Sequence, residues 1–209
     1  MDIKTLWNSK EKADWENALL IYQTAVKSGN TEIEQKLNSM TTDDFRKMSP
    51  RDFYRFLVSD YARWKYTDGR IRSRVQYDIE EFHQVCGDGE FYKILDGIFM
   101  IDPDDIYLHL TNITRITGIG VAGASGILAL AMPQYFGTVD RFAVENLQKV
   151  YDEDSFYGKK LHKMDPQNIS AYDAATVIRI YREKAEDLFW AFGGEWTPRK
   201  IDMVLWSVR

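Results

Sequence analysis

The sequence predicts an all-α protein, and three observations carry that expectation. Apolar residues recur at three- and four-residue intervals, Ser, Thr or Asp stands just before several of those runs, and no stretch alternates with period two. Hydrophobic residues make up 44% of the 209 and aromatic residues 14%, enough to bury a core, so a single helical domain over 1–209 is expected.

The first long helix lies in DWENALLIYQTAVKSGN, where Trp15, Ala18, Leu19, Tyr22 and Val26 share a face and Gly29-Asn30 ends it. TEIEQKLNSM follows, with Thr31 as its N-cap. In SPRDFYRFLVSDYARWKY, Ser49 caps, Pro50 takes the first helical position and Asp52 complements the N-terminal dipole. Phe53, Phe56, Leu57, Tyr61 and Trp64 form the apolar stripe of that helix. TDGRIRSR at 67–74 breaks the pattern with Asp-Gly and a burst of arginines, YDIEEFHQVC resumes it, and GDG at 87–89 marks a turn. EFYKILDGIFM and DPDDIYLHLTNI continue the series. Ser170 opens SAYDAATVIRIYREKAEDLFWAF, which Gly193-Gly194 closes. Thr197 and Pro198 open the last helix, with Ile201, Val204, Leu205 and Val208 on one face.

Composition narrows the function classes. Twenty-seven Lys and Arg against thirty-two Asp and Glu leave a net charge of −5, which argues against a protein that coats nucleic acid non-specifically but leaves room for a local basic groove. The single cysteine, Cys86, can make no internal disulfide and cannot hold an iron-sulfur cluster. His83, His109 and His162 show no HxH or HExxH spacing, so no catalytic metal is expected and each reads as a partly buried structural histidine. The polar start MDIKTLWNSKEKADWEN lacks a charged-then-apolar leader, and a cytoplasmic protein is expected. The one long uncharged stretch, Ile116 to Val139, is diluted by Gly118, Gly120, Gly123, Gly126, Pro133 and Gly137, so no membrane span is expected.

That stretch also carries the most informative pattern. Thr117-Gly118-Ile119-Gly120 joins two apolar helical runs with almost no linker, so two helices should meet there within 113–131. A helix starting at the second glycine would present its free amides to a phosphate or other anion. The same glycines could instead let two core helices pack closely, with Ala122, Ala124 and Ser125 as contact residues.

Ile116-Thr117-Gly118-Ile119-Gly120, followed by a helix and then Val139-Asp140, resembles the hydrophobic-Pro-Gly-hydrophobic-Gly hairpin and downstream Val-Asp pair of the helix-hairpin-helix base-excision DNA glycosylases. Asp140 lies 140 − 120 = 20 residues after Gly120, an interval like that of the endonuclease III branch. The resemblance implies a glycosylase-like helical fold, duplex DNA with a flipped nucleotide as partner, and a hairpin of Thr117, Gly118, Ile119, Gly120, Val121, Ala122 and Gly123 that grips a phosphate, with a monovalent cation at the turn. It implies Asp140 as the carboxylate that stabilises the cationic sugar, although Asp140 could equally N-cap the helix DRFAVENLQKVY. Thr117 stands where the family has proline. Ala122 stands where bifunctional members have the Schiff-base lysine, so excision without strand cleavage is implied, with no cofactor.

YARWKYTDGRIRSR interleaves Tyr61, Trp64 and Tyr66 with Arg63, Lys65, Arg70, Arg72 and Arg74 against one acid, Asp68. It reads as a basic, aromatic nucleic-acid surface, with Arg70, Arg72 and Arg74 toward phosphates and Trp64 and Tyr66 beside the flipped base; the other reading is an amphipathic helix end with solvated arginines. Lys159, Lys160, Lys163 and the Arg199-Lys200 pair are expected to be solvated. A DNA-binding protein that excises a base is the function this reading favours; a non-catalytic DNA binder and a helical protein-interaction domain are the alternatives.

Overall fold

In the computed structural model, residues 1–25 and 31–208 are described. Helices are the only regular structure among them, as the apolar periodicity predicts. The sequence read as one domain, but the chain gathers its two ends into one compact unit, Met1–Val26 with Pro133–Arg209, and its middle into another, Lys27–Met132. The expected helix end at Gly29-Asn30, and Val26 on the stripe before it, lie outside the described residues.

The terminal unit holds α1 (Ile3–Trp7), α2 (Lys12–Ala25), α10 (Arg141–Val150), α11 (Gly158–Leu161), α12 (Ala171–Phe192) and α13 (Pro198–Ser207). Its caps are those legible in the sequence. Ser170 and Asp173 close a capping box at the head of α12, Gly193 ends that helix at φ 66°, and Thr197 accepts the Lys200 amide ahead of Pro198. Helix α13 is the centre of this unit, packed against α2, α10 and α12 through Ile201, Val204 and Leu205. Trp15 is fully buried between the rings of Trp7 and Trp196, 6.0 and 6.1 Å away.

The central unit holds α3 (Thr31–Ser39), α4 (Thr42–Arg46), α5 (Pro50–Phe56), α6 (Ala62–Lys65), α7 (Gly69–Met100), α8 (Ile106–Ile113) and α9 (Val121–Ala131). Ser49 and Pro50 open α5 as expected, and a π turn over Leu57–Tyr61 joins it to α6. The spine is α7, on which α4, α5, α6 and α8 lie around a core of Phe45, Phe53, Phe56 and Phe91. Two expectations are refined here. The break expected over 67–74 is confined to 66–68, between α6 and α7: Asp68 accepts the amides of Arg70 and Ile71, so the Asp-Gly pair starts a helix that takes in the arginines. The turn expected at 87–89 forms as a kink at Gly87, φ 67°, where two helical segments of α7 meet, the second running to Met100.

Residues 123–131 of α9 are all buried, which explains the middle of the uncharged run as the interior of this unit. No helix among the described residues is long and apolar enough to cross a membrane.

Candidate functional site

Within the central unit, the glycine hairpin and the basic segment, about forty residues apart in sequence, come together. Helix α8 ends at Ile113 and α9 begins at Val121, so 113–131 holds one helix and not the two expected to meet at Gly118–Gly120: a seven-residue turn, 114–120, separates α9 from α8. Ile116 and Ile119 face inward and close the turn through an Ile119 amide to Ile116 carbonyl bond of 3.0 Å. Gly118 adopts φ 89°, and a methyl group on it would stand 2.7 Å from Asp78 Cβ and 3.3 Å from the Val75 carbonyl. The turn therefore rests directly on the second and third turns of α7, just beyond Arg70, Arg72 and Arg74.

Gly120 is the N-cap of α9, extended, exposed and without a capping side chain. A helix start of this kind leaves its first amides free to meet an anion. Of the residues expected to grip a phosphate, Thr117 and Gly120 are exposed, and Gly118, Val121 and Ala122 half-exposed. Ile119 and Gly123 are corrections, because both are buried: Ile119 fills the core, and the Gly123 carbonyl accepts the Tyr61 hydroxyl. The packing alternative also has its residues, Gly123 and Gly126, where added methyl groups would meet the hydroxyls of Tyr66 and Tyr61 at 2.7 and 2.6 Å. A monovalent cation at the turn would find backbone carbonyls and the Thr117 hydroxyl, with the Ile116 carbonyl already engaged by Ile119.

The arginines stand on the first two turns of α7, where cations oppose the helix dipole. Arg74 is held by Asp78, its Nε 2.8 and 3.0 Å from the two carboxylate oxygens. Arg70 lies 3.6 Å from Asp68 with its side chain 95% exposed, and Arg72 forms no ion pair among the described residues. Amides of Arg70 and Ile71 hold the Asp68 carboxyl below its usual range. Arg72 is thus open to an external anion and Arg70 would share one with Asp68, whose carboxylate already caps the start of α7.

The aromatic pair departs from the sequence reading. Trp64 is half-buried, donates its indole N–H to Glu34 and lies against Tyr61 and Gly126, so part of the ring packs the unit. Tyr66 is half-buried against Gly123, and burial pushes its hydroxyl up to about 12, so it stays neutral.

Asp140 belongs to the terminal unit. It is half-exposed, and its Oδ1 accepts the Ala143 amide at 3.0 Å, so the capping role is realised. Its Oδ2 carries no hydrogen bond from the described residues. The preceding loop is tied down by residues that sequence reading left out. Thr138 donates its amide to Asp202 at 2.6 Å, its carbonyl accepts the Tyr181 hydroxyl at 3.0 Å, and its hydroxyl lies 3.4 Å from Arg199. Arg199, expected to be solvated, is only 5% exposed and pairs with Asp202 at 2.8 Å. An ordinary amphipathic pattern hides this pair, because Arg199 and Asp202 lie three apart on the buried face of α13.

The other candidate groups disperse. His109 is fully buried, whereas His83 stacks on Tyr54 beside Asp88 and His162 bonds the Tyr151 carbonyl near the surface. No group of three or more His, Cys, Asp or Glu able to hold a metal ion occurs among the described residues. An open pocket of about 580 Å³ in the terminal unit is walled by Ile3, Leu6, Ala18, Ile21, Asn146 and Lys149, without Asp140.

Compared with known proteins, the chain matches no family model, no curated protein and no solved structure.

The turn geometry makes a direct prediction. Gly118→Ala should destabilise the protein by about 1–3 kcal/mol, from a positive φ imposed on a residue with a Cβ and from the clash with Asp78. Gly120→Ser, with open space around it and a better capping side chain, should be neutral or stabilising. Urea unfolding of the two variants reads this, and equal midpoints would show that the turn does not depend on Gly118.

Proposed function

We propose that this chain is a helix-hairpin-helix DNA-binding protein that excises a base without cutting the strand, with Asp140 as the carboxylate. One observation carries the reading: Gly118 is seated on Val75 and Asp78, so the uncapped start of α9 and the arginine-bearing start of α7 belong to one rigid corner. The uncapped start of α9, together with Arg72 and the exposed Arg70 that Asp68 shares, gives an external anion groups to meet in a protein whose net charge is −5. A phosphate backbone supplies closely spaced anions of the right chemistry, and contacts of this kind position the duplex without reading sequence. Ala122, at the second position of α9, offers no amine for a covalent step, which leaves a water-mediated hydrolysis assisted by a carboxylate.

The Ala143 cap bond favours a second reading, in which Asp140 is structural and the protein binds DNA without acting on it. The Asp140 variant treated in the Discussion separates the two.

The binding claim has its own test. Arg70→Glu with Arg72→Glu should weaken duplex binding on every sequence and reduce the slope of log K against log salt by about 2, the number of phosphate contacts removed. Both side chains lie outside the buried core, so folding should survive. A salt titration in which wild type and double variant coincide would overturn the surface, and no salt-dependent affinity in the wild type would favour the protein-interaction alternative.

A further inference from the structure

A carboxylate that stabilises developing positive charge must stand in one place, and loops do not ordinarily provide that. Asp140 follows directly on a loop, 133–139, that the terminal unit ties down at several points. The Arg199 amide donates to the Pro133 carbonyl at 3.4 Å. Gly137 fits against the Tyr181 ring and the Pro198 carbonyl so closely that a methyl group there would stand 2.7 and 2.5 Å from them. Thr138 then engages three different side chains through its amide, carbonyl and hydroxyl. These three come from α12 and α13, and Tyr22 of α2 adds a fourth point through its hydroxyl, 3.2 Å from Arg199. Beyond Thr138, Val139 is fully buried, and Asp140 is fastened on its other side by the Ala143 amide.

The network costs free energy to keep. Asp202, Arg199 and Tyr181 are nearly or wholly withdrawn from water, and a buried ion pair is no better for stability than well-packed apolar side chains. Besides the Pro133 carbonyl and the Tyr22 hydroxyl, its hydrogen bonds converge on Thr138, two positions before Asp140.

We infer that Asp202 and Tyr181, with Arg199, are positioning residues for Asp140: by holding the main chain of Thr138 on both sides they set where the Asp140 carboxylate stands. The inference rests on the excision reading for its catalytic meaning, and the geometry it asserts can be measured without it. Asp202 acts on the Thr138 amide, Tyr181 on the Thr138 carbonyl, and Arg199 orients Asp202 through paired bonds of 2.8 and 3.1 Å.

The test uses the full chain with two variants. Tyr181→Phe keeps the ring that Gly137 packs on and removes one hydroxyl; Asp202→Asn keeps an acceptor and removes the charge. In both, hydrogen exchange at the Thr138 and Ala143 amides should accelerate about tenfold or more beyond any acceleration of the Leu188 amide of α12, because the opening is local in addition to any loss of global stability. Excision by the same variants should lose about tenfold or more in kcat with KM within about twofold, the pattern of a misplaced transition-state group. Exchange at Ala143 and turnover at wild-type levels in both variants would overturn the assignment. Acceleration at Leu188 equal to that at Thr138 and Ala143 would also overturn it, since the network would then support the whole unit and not one loop. A wild type that excises nothing fails the excision reading instead, and exchange at Ala143 then decides by itself whether these residues hold Asp140.

Discussion

Asp140→Asn should abolish base excision, lowering it by about a thousandfold or more, while the protein folds and binds duplex as before. Breaking the bond between base and sugar builds oxocarbenium-like charge on the sugar, and a neighbouring carboxylate stabilises it and orients the attacking water. The amide keeps an oxygen for the Ala143 N–H, now at 3.0 Å, so α10 retains its cap and only the charge is lost. Duplexes carrying uracil, alkylated or oxidised bases, incubated with each protein and then cleaved at abasic sites by alkali, provide the measurement. If the variant cuts as well as wild type, Asp140 is a cap and nothing more. If wild type cuts none of the panel, excision of these lesions is not its activity. Strand cleavage without alkali would contradict the proposal from the other side, because Ala122 leaves no lysine at the position that bifunctional enzymes use.

The second large effect is on stability. Asp202→Ala should cost about 3–5 kcal/mol near neutral pH, because it leaves the buried Arg199 guanidinium and the Thr138 amide without their common acceptor. Urea unfolding should show a lower midpoint at unchanged slope. A loss under about 1 kcal/mol would mean that water reaches the pair.

The same carboxyl makes a pH prediction. Burial pushes Asp202 up to about 6 from the ordinary 3.8, outweighing the opposing pull of Arg199 and of the Thr138 amide, and the Asp140 charge adds to the rise. The folded chain therefore binds this proton more tightly than the unfolded chain. The stability contributed by protonated Asp202 is complete below about pH 4 and is lost progressively as pH rises through 6. Subtracting the pH profile of Asp202→Asn from that of wild type isolates this slope, and a difference profile flat from pH 4 to 7 would contradict it.

What could be read in the sequence was the chemistry that acts over one helical turn. Ser49 with Pro50, Ser170 with Asp173, Thr197 with Pro198 and the Gly193 terminus announce their helices because a cap is satisfied by residues three positions away. The same locality explains why the Asp140 cap was foreseen beside its catalytic alternative: both depend on one carboxylate at the head of α10. Local patterns also misled where one motif serves two ends. Asp68-Gly69 suits a turn and a helix start equally, and the bonds from Arg70 and Ile71 decided for the start.

The tertiary structure alone decided which residues meet across long separations. Gly118 was legible as a turn residue, but not its seat on Asp78, because a missing side chain does not name the group that fills its place. The sequence does not show that Trp64 gives its indole N–H to Glu34, thirty residues earlier, and Arg199 looked solvated until Asp202 and Thr138 enclosed it. Thr138 and Asp202 lie 64 residues apart, and burying a charge pays only when its partner arrives with it, a condition set by how α12 and α13 pack and by nothing in the local sequence of either.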